Sequence, residues 1–143
     1  MNKKILIASD HAGFLLKEKL IEHLPKETFE DLGTDSKKSV DYTDYANELS
    51  RRISLDNNKK GVLICGTGVG MSVAANKFNN IRAGLVYNSE VAKLIREHND
   101  ANILVLPGRY MDIHEAKKCV DNFLSSSFKG GRHIVRLNKI IKD

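Results

Sequence analysis

Apolar positions along this chain follow two rhythms that take turns. Short apolar runs lie within residues 4–8, 61–65 and 102–106, among them Ile5-Leu6-Ile7-Ala8 and Val62-Leu63-Ile64, and such runs predict strands buried on both faces. Between them, apolar residues recur every three or four positions. Leu16, Leu20 and Leu24 predict a helix over 13–24 that Pro25 ends, and Ala46, Leu49 and Ile53 predict one over 43–55 after a polar loop that runs to about Tyr42. Shorter strands are predicted at 28–32 and 83–87, with helices directly after Gly70 and at 89–97. Asp112 and Glu115 form a capping box for a further helix, whose apolar stripe is Ala116, Cys119, Val120, Phe123 and Leu124. Five strands alternating with helices predict an α/β chain with a three-layer, Rossmann-like fold, its five-stranded parallel sheet flanked by helices.

That architecture places a ligand site before any chemistry is considered, because open parallel sheets bind at the carboxyl ends of their strands. Ser9-Asp10-His11 follows the first strand, Cys65 and a glycine-rich loop follow the third, and Pro107-Gly108-Arg109 follows the fifth. His98-Asn99-Asp100 instead precedes the fifth strand, on the opposite rim, so a partner subunit is the expected source if it joins the site. Asp10-His11 also fits a plain helix cap, and His98-Asn99 a helix C-terminus without chemistry.

The loop reads Gly66-Thr67-Gly68-Val69-Gly70-Met71-Ser72. It lacks the lysine of a P-loop, and Met71 stands where a dinucleotide fingerprint needs its third glycine, which leaves a nucleotide site as a weaker alternative. What remains is a small cradle of main-chain N–H groups, wide enough for an oxyanion or one phosphate. A cysteine is most often a small buried apolar residue. At the mouth of such a cradle, Cys65 is instead expected to be pulled toward the thiolate and to act as base or nucleophile. Cys119, on an apolar stripe, is expected in the core.

Composition narrows the choice of partner and compartment. The chain has 143 residues, 41% hydrophobic and 29% charged, with two prolines and neither repeats nor low-complexity runs, so a single domain over 1–143 is expected. The net charge of +5 comes from dispersed basic residues with few aromatics among them, which argues against a nucleic-acid footprint. Arg132 and Arg136 are four apart, a helical spacing that lets two guanidinium groups share a phosphate. Two cysteines without CxxC spacing fit a reducing, cytoplasmic setting. Met1-Asn2-Lys3-Lys4 resembles a signal n-region, but Ser9-Asp10-His11 interrupts the apolar stretch too soon for a signal or membrane segment. His23 and His114 read as surface residues, His133 has no evident place, and no metal-ligand spacing occurs.

Several blocks then point one way. Ser9-Asp10-His11-Ala12-Gly13, Asp41-Tyr42, the run from Cys65 through Lys77, His98-Asn99-Asp100-Ala101-Asn102 and Gly130-Gly131-Arg132-His133 resemble the ribose-5-phosphate isomerase B family, which also holds the galactose-6-phosphate isomerase subunits. The resemblance spans nearly the whole chain. It implies interconversion of ribose 5-phosphate and ribulose 5-phosphate through a cis-enediolate, without metal or organic cofactor. It further implies Cys65 as the base, Thr67 with the N–H groups of Gly66, Gly68, Val69 and Gly70 around the enediolate, and His98 as ring opener. Asp10 would meet a sugar hydroxyl and assist, Tyr42 and Asn99 would orient the open chain, and His11, Arg109, Arg132 and Arg136 would hold the phosphate. A homodimer or homotetramer with a shared site is implied, reached by a C-terminal segment carrying Ile134, Leu137, Ile140 and Ile141. A six-carbon substrate, allose 6-phosphate or galactose 6-phosphate, and a binding module without chemistry are the alternatives. Pro107 departs from the glycine usual in that family.

Overall fold

A computed structural model describes residues 4–141, so Met1-Asn2-Lys3 and the last two positions of the expected 1–143 domain lie outside the described residues. Five strands, β1 (Ile5–Ser9), β2 (Phe29–Asp31), β3 (Lys60–Cys65), β4 (Ala83–Leu85) and β5 (Ile103–Pro107), form one parallel sheet in the order β2-β1-β3-β5-β4. Six helices connect and cover them: α1 (Phe14–His23), α2 (Tyr42–Ser54), α3 (Val69–Ala75), α4 (Ser89–Glu97), α5 (Ile113–Ser125) and α6 (Arg132–Asn138).

The strand period of two sorts each apolar run between two cores. Ile5, Ile7, Val62, Ile64, Leu104 and Leu106 face the layer of α1, α4 and α5. Leu6, Ala8, Leu63, Cys65, Ile103 and Val105 face α2 and α3. Full burial of each such aliphatic side chain stabilises by about 1.5–3 kcal/mol, which is why the three runs occupy the middle of the sheet. The described helices include none long and apolar enough to cross a membrane.

The edge strands are shorter than the sequence pattern predicts. β2 keeps three of the five expected residues, and β4 ends at Leu85 instead of Tyr87. Each pairs on one side only. At β4 a competing demand ends the strand: Asn88 must turn out to cap α4, where its side chain accepts the Val91 N–H at 2.9 Å. Tyr87 therefore leaves the sheet. The other ends differ by one or two residues: β1 and β5 each start and finish one residue later than expected, β3 opens at Lys60, and α2 and α3 begin at Tyr42 and Val69.

The strand order puts the switch of direction between β1 and β3. From β1 the chain crosses toward β2, and from β3 it crosses the other way, so the loops after these neighbouring strands part and open a crevice at their carboxyl ends.

Candidate active site

Residues from four elements converge on that crevice. Cys65 is the last residue of β3, only 4% exposed, with its side chain on the α2–α3 face. The loop after it turns at Gly68, whose φ of 80° lies in the left-handed region and whose missing Cβ makes room for Leu85 Cδ1, 2.4 Å from where a Cβ would stand. Thr67 Oγ1 accepts the Val69 N–H at 3.2 Å, so Val69 is already paired. Among the described residues, no acceptor pairs with the N–H groups of Gly66, Thr67, Gly68 or Gly70. Such a run of unpaired amides is a ready anion cradle.

The rim is built from both sides. Asp10, 6% exposed, shapes the turn into α1 without capping it: its Oδ1 accepts the N–H of Gly13, the residue before the helix, at 3.0 Å. Val40 N–H donates to His11 Nδ1 at 3.1 Å, which puts the proton of the neutral imidazole on Nε2, free to donate outward. Tyr42, at the start of α2, lays its ring against Gly70, where a Cβ would fall 2.6 Å from Cζ. Arg109 is held at its backbone by a 3.0 Å bond from its N–H to Gly66 O, with its guanidinium lying over Gly66. Pro107 leaves this intact. It is the final residue of β5, opposite Cys65, and Gly108 N–H supplies the bond to Cys65 O at 2.7 Å.

The remaining candidates sit elsewhere. α4 runs antiparallel to the strands, from the end of β4 to the start of β5, and so carries His98 and Asn99 to the rim opposite Cys65. His98 N–H closes α4 on Leu94 O at 2.8 Å, so the helix-end reading of this residue holds alongside any chemistry. Lys129 docks the C-terminal region there, its N–H on Glu97 O at 3.0 Å and Nζ on Glu97 Oε1 at 3.3 Å. α6 then stacks His133 on His98, ring centroids 4.5 Å apart and planes 15° from parallel. Arg132 and Arg136, one turn apart on α6, are exposed beside this pair. Burial, then His98, Arg132, Arg136 and Lys129, hold His133 below the ordinary histidine value. Asp100 is spent structurally, accepting Arg96 Nη1 at 2.8 Å and Arg82 Nη2 at 3.4 Å.

The candidate residues therefore form two groups on opposite rims of one chain. Asp10, His11, Tyr42, Cys65 through Gly70 and Arg109 form one, and His98, Asn99, Arg132 and Arg136 form the other. Cys119 is fully buried, its thiol pushed up to about 12 by burial first and Glu115 second, so it remains a protonated core residue. His23 and His114 are exposed, as expected. Among the described residues, no three or more His, Cys, Asp or Glu side chains gather as a metal site would need.

The sequence model of the ribose/galactose isomerase family matches residues 5–140. The chain belongs to that family. A Mycoplasma pneumoniae protein named as a probable ribose-5-phosphate isomerase B is 47% identical over 144 residues, covering 99% of this chain and 95% of its own. A ribose 5-phosphate isomerase structure from Thermotoga maritima superposes with a TM-score of 0.91 at 51% identity, covering 95% of both chains. The Mycoplasma genitalium ribose-5-phosphate isomerase B, solved with bound ribulose 5-phosphate, gives 0.91 at 41% identity, covering 95% of this chain and 92% of its own.

Two residues of this isomerase-family chain escaped sequence reasoning. The sequence pattern puts Tyr87 at the end of a strand, whereas its hydroxyl donates to Thr67 O at 2.8 Å. His133 gains its place only from the packing of α6 against the end of α4. Its only sequence signal is its position, directly after Arg132 and four residues beyond Lys129.

Proposed function

We propose that this chain interconverts ribose 5-phosphate and ribulose 5-phosphate, with Cys65 as the base. The observation that carries the reading is a thiol at the end of β3, directly before a loop whose N–H groups at Gly66, Thr67, Gly68 and Gly70 have no partner among the described residues. Family membership and the ribulose 5-phosphate held by the Mycoplasma genitalium relative support the substrate.

In the open-chain aldose the base takes the proton from C2. The C–H electron pair becomes the C1–C2 double bond, and the carbonyl π pair moves onto O1. Charge then lies on an enediolate whose two oxygens face the same side, where preorganised N–H donors stabilise it most. The 2-hydroxyl proton passes to O1 as O2 becomes the new carbonyl, and C1 receives a proton from the same thiol, giving the ketose. Thr67 and the loop amides hold the oxygens, while Asp10 bonds a sugar hydroxyl through Oδ2, the oxygen that does not bond Gly13. His98 opens the furanose ring by proton transfer, and Tyr42 and Asn99 align the open chain. His11, Arg109, Arg132 and Arg136 clamp the phosphate, so that binding at the nonreacting end positions C2.

The separation of the two groups supports a shared site in a homodimer or homotetramer, where His98, Asn99, Arg132 and Arg136 of the partner subunit close over Cys65. The exposed Ile134, Val135, Ile140 and Ile141 along and after α6 supply an apolar surface for that contact. The test compares ribose 5-phosphate, allose 6-phosphate and galactose 6-phosphate by kcat/KM. Ribose 5-phosphate is expected to lead. A lead by either hexose phosphate replaces the substrate, and no turnover with any of them leaves only a binding module.

A further inference from the structure

The glycine loop is braced along its length by the edge strand β4 and the residues that follow it. At the tail of α3, Asn76 reaches Ala83 from both sides, its Oδ1 accepting the Ala83 N–H at 2.8 Å and its Nδ2 donating to Ala83 O at 3.0 Å. The same Nδ2 lies 3.1 Å from Ser72 O, which ties the clamp to α3. In the middle, Leu85 Cδ1 occupies the space beside Gly68. At the head, the Tyr87 hydroxyl donates to Thr67 O at 2.8 Å. Asn76 and Tyr87 are both exposed and outside the buried cores, and of the two only Tyr87 bonds the carbonyl that precedes Gly68. A large aromatic at the surface, aimed at one main-chain carbonyl next to the cradle, needs a reason.

We propose that Tyr87 is a positioning residue: by holding the Thr67 carbonyl it sets the direction of the Gly68 N–H toward the enediolate oxygens. The inference rests on the isomerase reading above. Its warrant is the planarity of the peptide bond. In a trans peptide the carbonyl of one residue and the N–H of the next point in opposite directions, and the Thr67–Gly68 bond is not among the cis peptides of the described chain. Fixing Thr67 O toward Tyr87 therefore fixes Gly68 N–H away from it. Gly68 itself cannot supply that constraint, since glycine rotates freely about both backbone bonds. The Thr67 side chain cannot either, since Oγ1 is engaged with Val69. An oxyanion donor works only when aimed before the charge develops, so a bond that prevents the peptide from rocking contributes to turnover without touching substrate.

The test is Tyr87→Phe, which keeps the ring and removes only the hydroxyl. Deleting an oxyanion donor outright costs about 10²–10³ in kcat; here the donor remains but is less well aimed, so kcat is expected to fall about tenfold. KM for ribose 5-phosphate should stay within about twofold, and affinity for a phosphorylated hydroxamate, a planar mimic of the enediolate, should weaken in step with kcat. A rise in KM at constant kcat would overturn the proposal by making Tyr87 a ground-state contact. A lower melting temperature with unchanged kcat would overturn it by making the bond merely structural. Absence of wild-type turnover with any sugar phosphate would overturn the isomerase reading together with this one. Wild-type turnover matched by Tyr87→Phe would overturn this one alone.

Discussion

Lys17 and Asp31 form an ion pair whose two halves differ in burial, and the difference predicts which substitution hurts. The Lys17 side chain on α1 is 0% exposed, and that of Asp31 at the end of β2 is 38% exposed. Nζ lies 2.7 and 2.9 Å from the two Asp31 oxygens and 3.1 Å from Glu18 Oε1. Removing Asp31 leaves the interior ammonium with Glu18 alone as its carboxylate, and breaking a buried pair from one side costs about 3–5 kcal/mol. Removing Lys17 leaves a carboxylate that water can reach, so Lys17→Met, which keeps the volume, should cost about 1 kcal/mol. At roughly 3 °C per kcal/mol for a chain of this size, Asp31→Ala should melt about 10 °C lower and Lys17→Met about 3 °C lower. The Lys17→Met/Asp31→Ala double variant should recover part of the loss, because the buried cation is gone. Function should follow for Asp31→Ala alone. Asp31 Oδ1 accepts the Gly33 N–H at 2.9 Å and anchors the segment that ends at Val40, whose N–H orients His11. Urea titration followed by circular dichroism, with a constant slope across variants, reads the stabilities. Equal losses for the two single variants, or a double variant less stable than both, would refute the reasoning.

Three further outcomes follow from the geometry. Gly68→Ala forces a left-handed φ at a cost of about 1–2 kcal/mol and pushes on Leu85, so both the urea midpoint and kcat should fall, the latter more than tenfold; wild-type kcat would contradict the loop's role. His133 titrates below its unfolded value, so the unfolded chain binds more protons as pH falls through about 6.5; stability is complete above that pH and declines below it, and His133→Phe, which retains the stack, should show a shallower decline between pH 7.5 and 5.5. Inactive Cys65→Ala and His98→Ala chains, unfolded together and refolded as a mixture, should regain about a quarter of wild-type activity, because half of randomly paired dimers carry one intact shared site; no recovery would place both residues in a single-chain site.

The buried middle of the sheet was legible because β1, β3 and β5 are apolar on both faces, a pattern that needs no knowledge of neighbours. The edge strands were legible only in outline. Where β4 stops depends on Asn88 leaving to cap α4, a contest between two local preferences that strand propensity alone does not decide. Cys65 and its glycines stood out because thiol, glycines and helix are consecutive in the sequence. Tyr87 did not, since its bond to Thr67 spans twenty residues and has no local signature. Lys17 has no local signature beside the Leu16 and Leu20 stripe, and only the fold brings Asp31 to it. The opposite-rim position of His98 did follow from topology, because a residue that precedes a strand lies at the end where that strand begins.

The central claim is that the Cys65 thiol moves the proton between the two carbons. Its most direct test is Cys65→Ala, confirmed as folded by an unchanged circular dichroism spectrum and melting temperature. Ribose 5-phosphate is supplied in deuterium oxide, and conversion to ribulose 5-phosphate is followed together with deuterium entry at C2 of the aldose and C1 of the ketose. A positioned base contributes about 10²–10⁴ to the rate, so both conversion and exchange should fall by at least about a hundredfold while substrate still binds. Conversion within tenfold of wild type, with deuterium still entering at C2, would contradict the account.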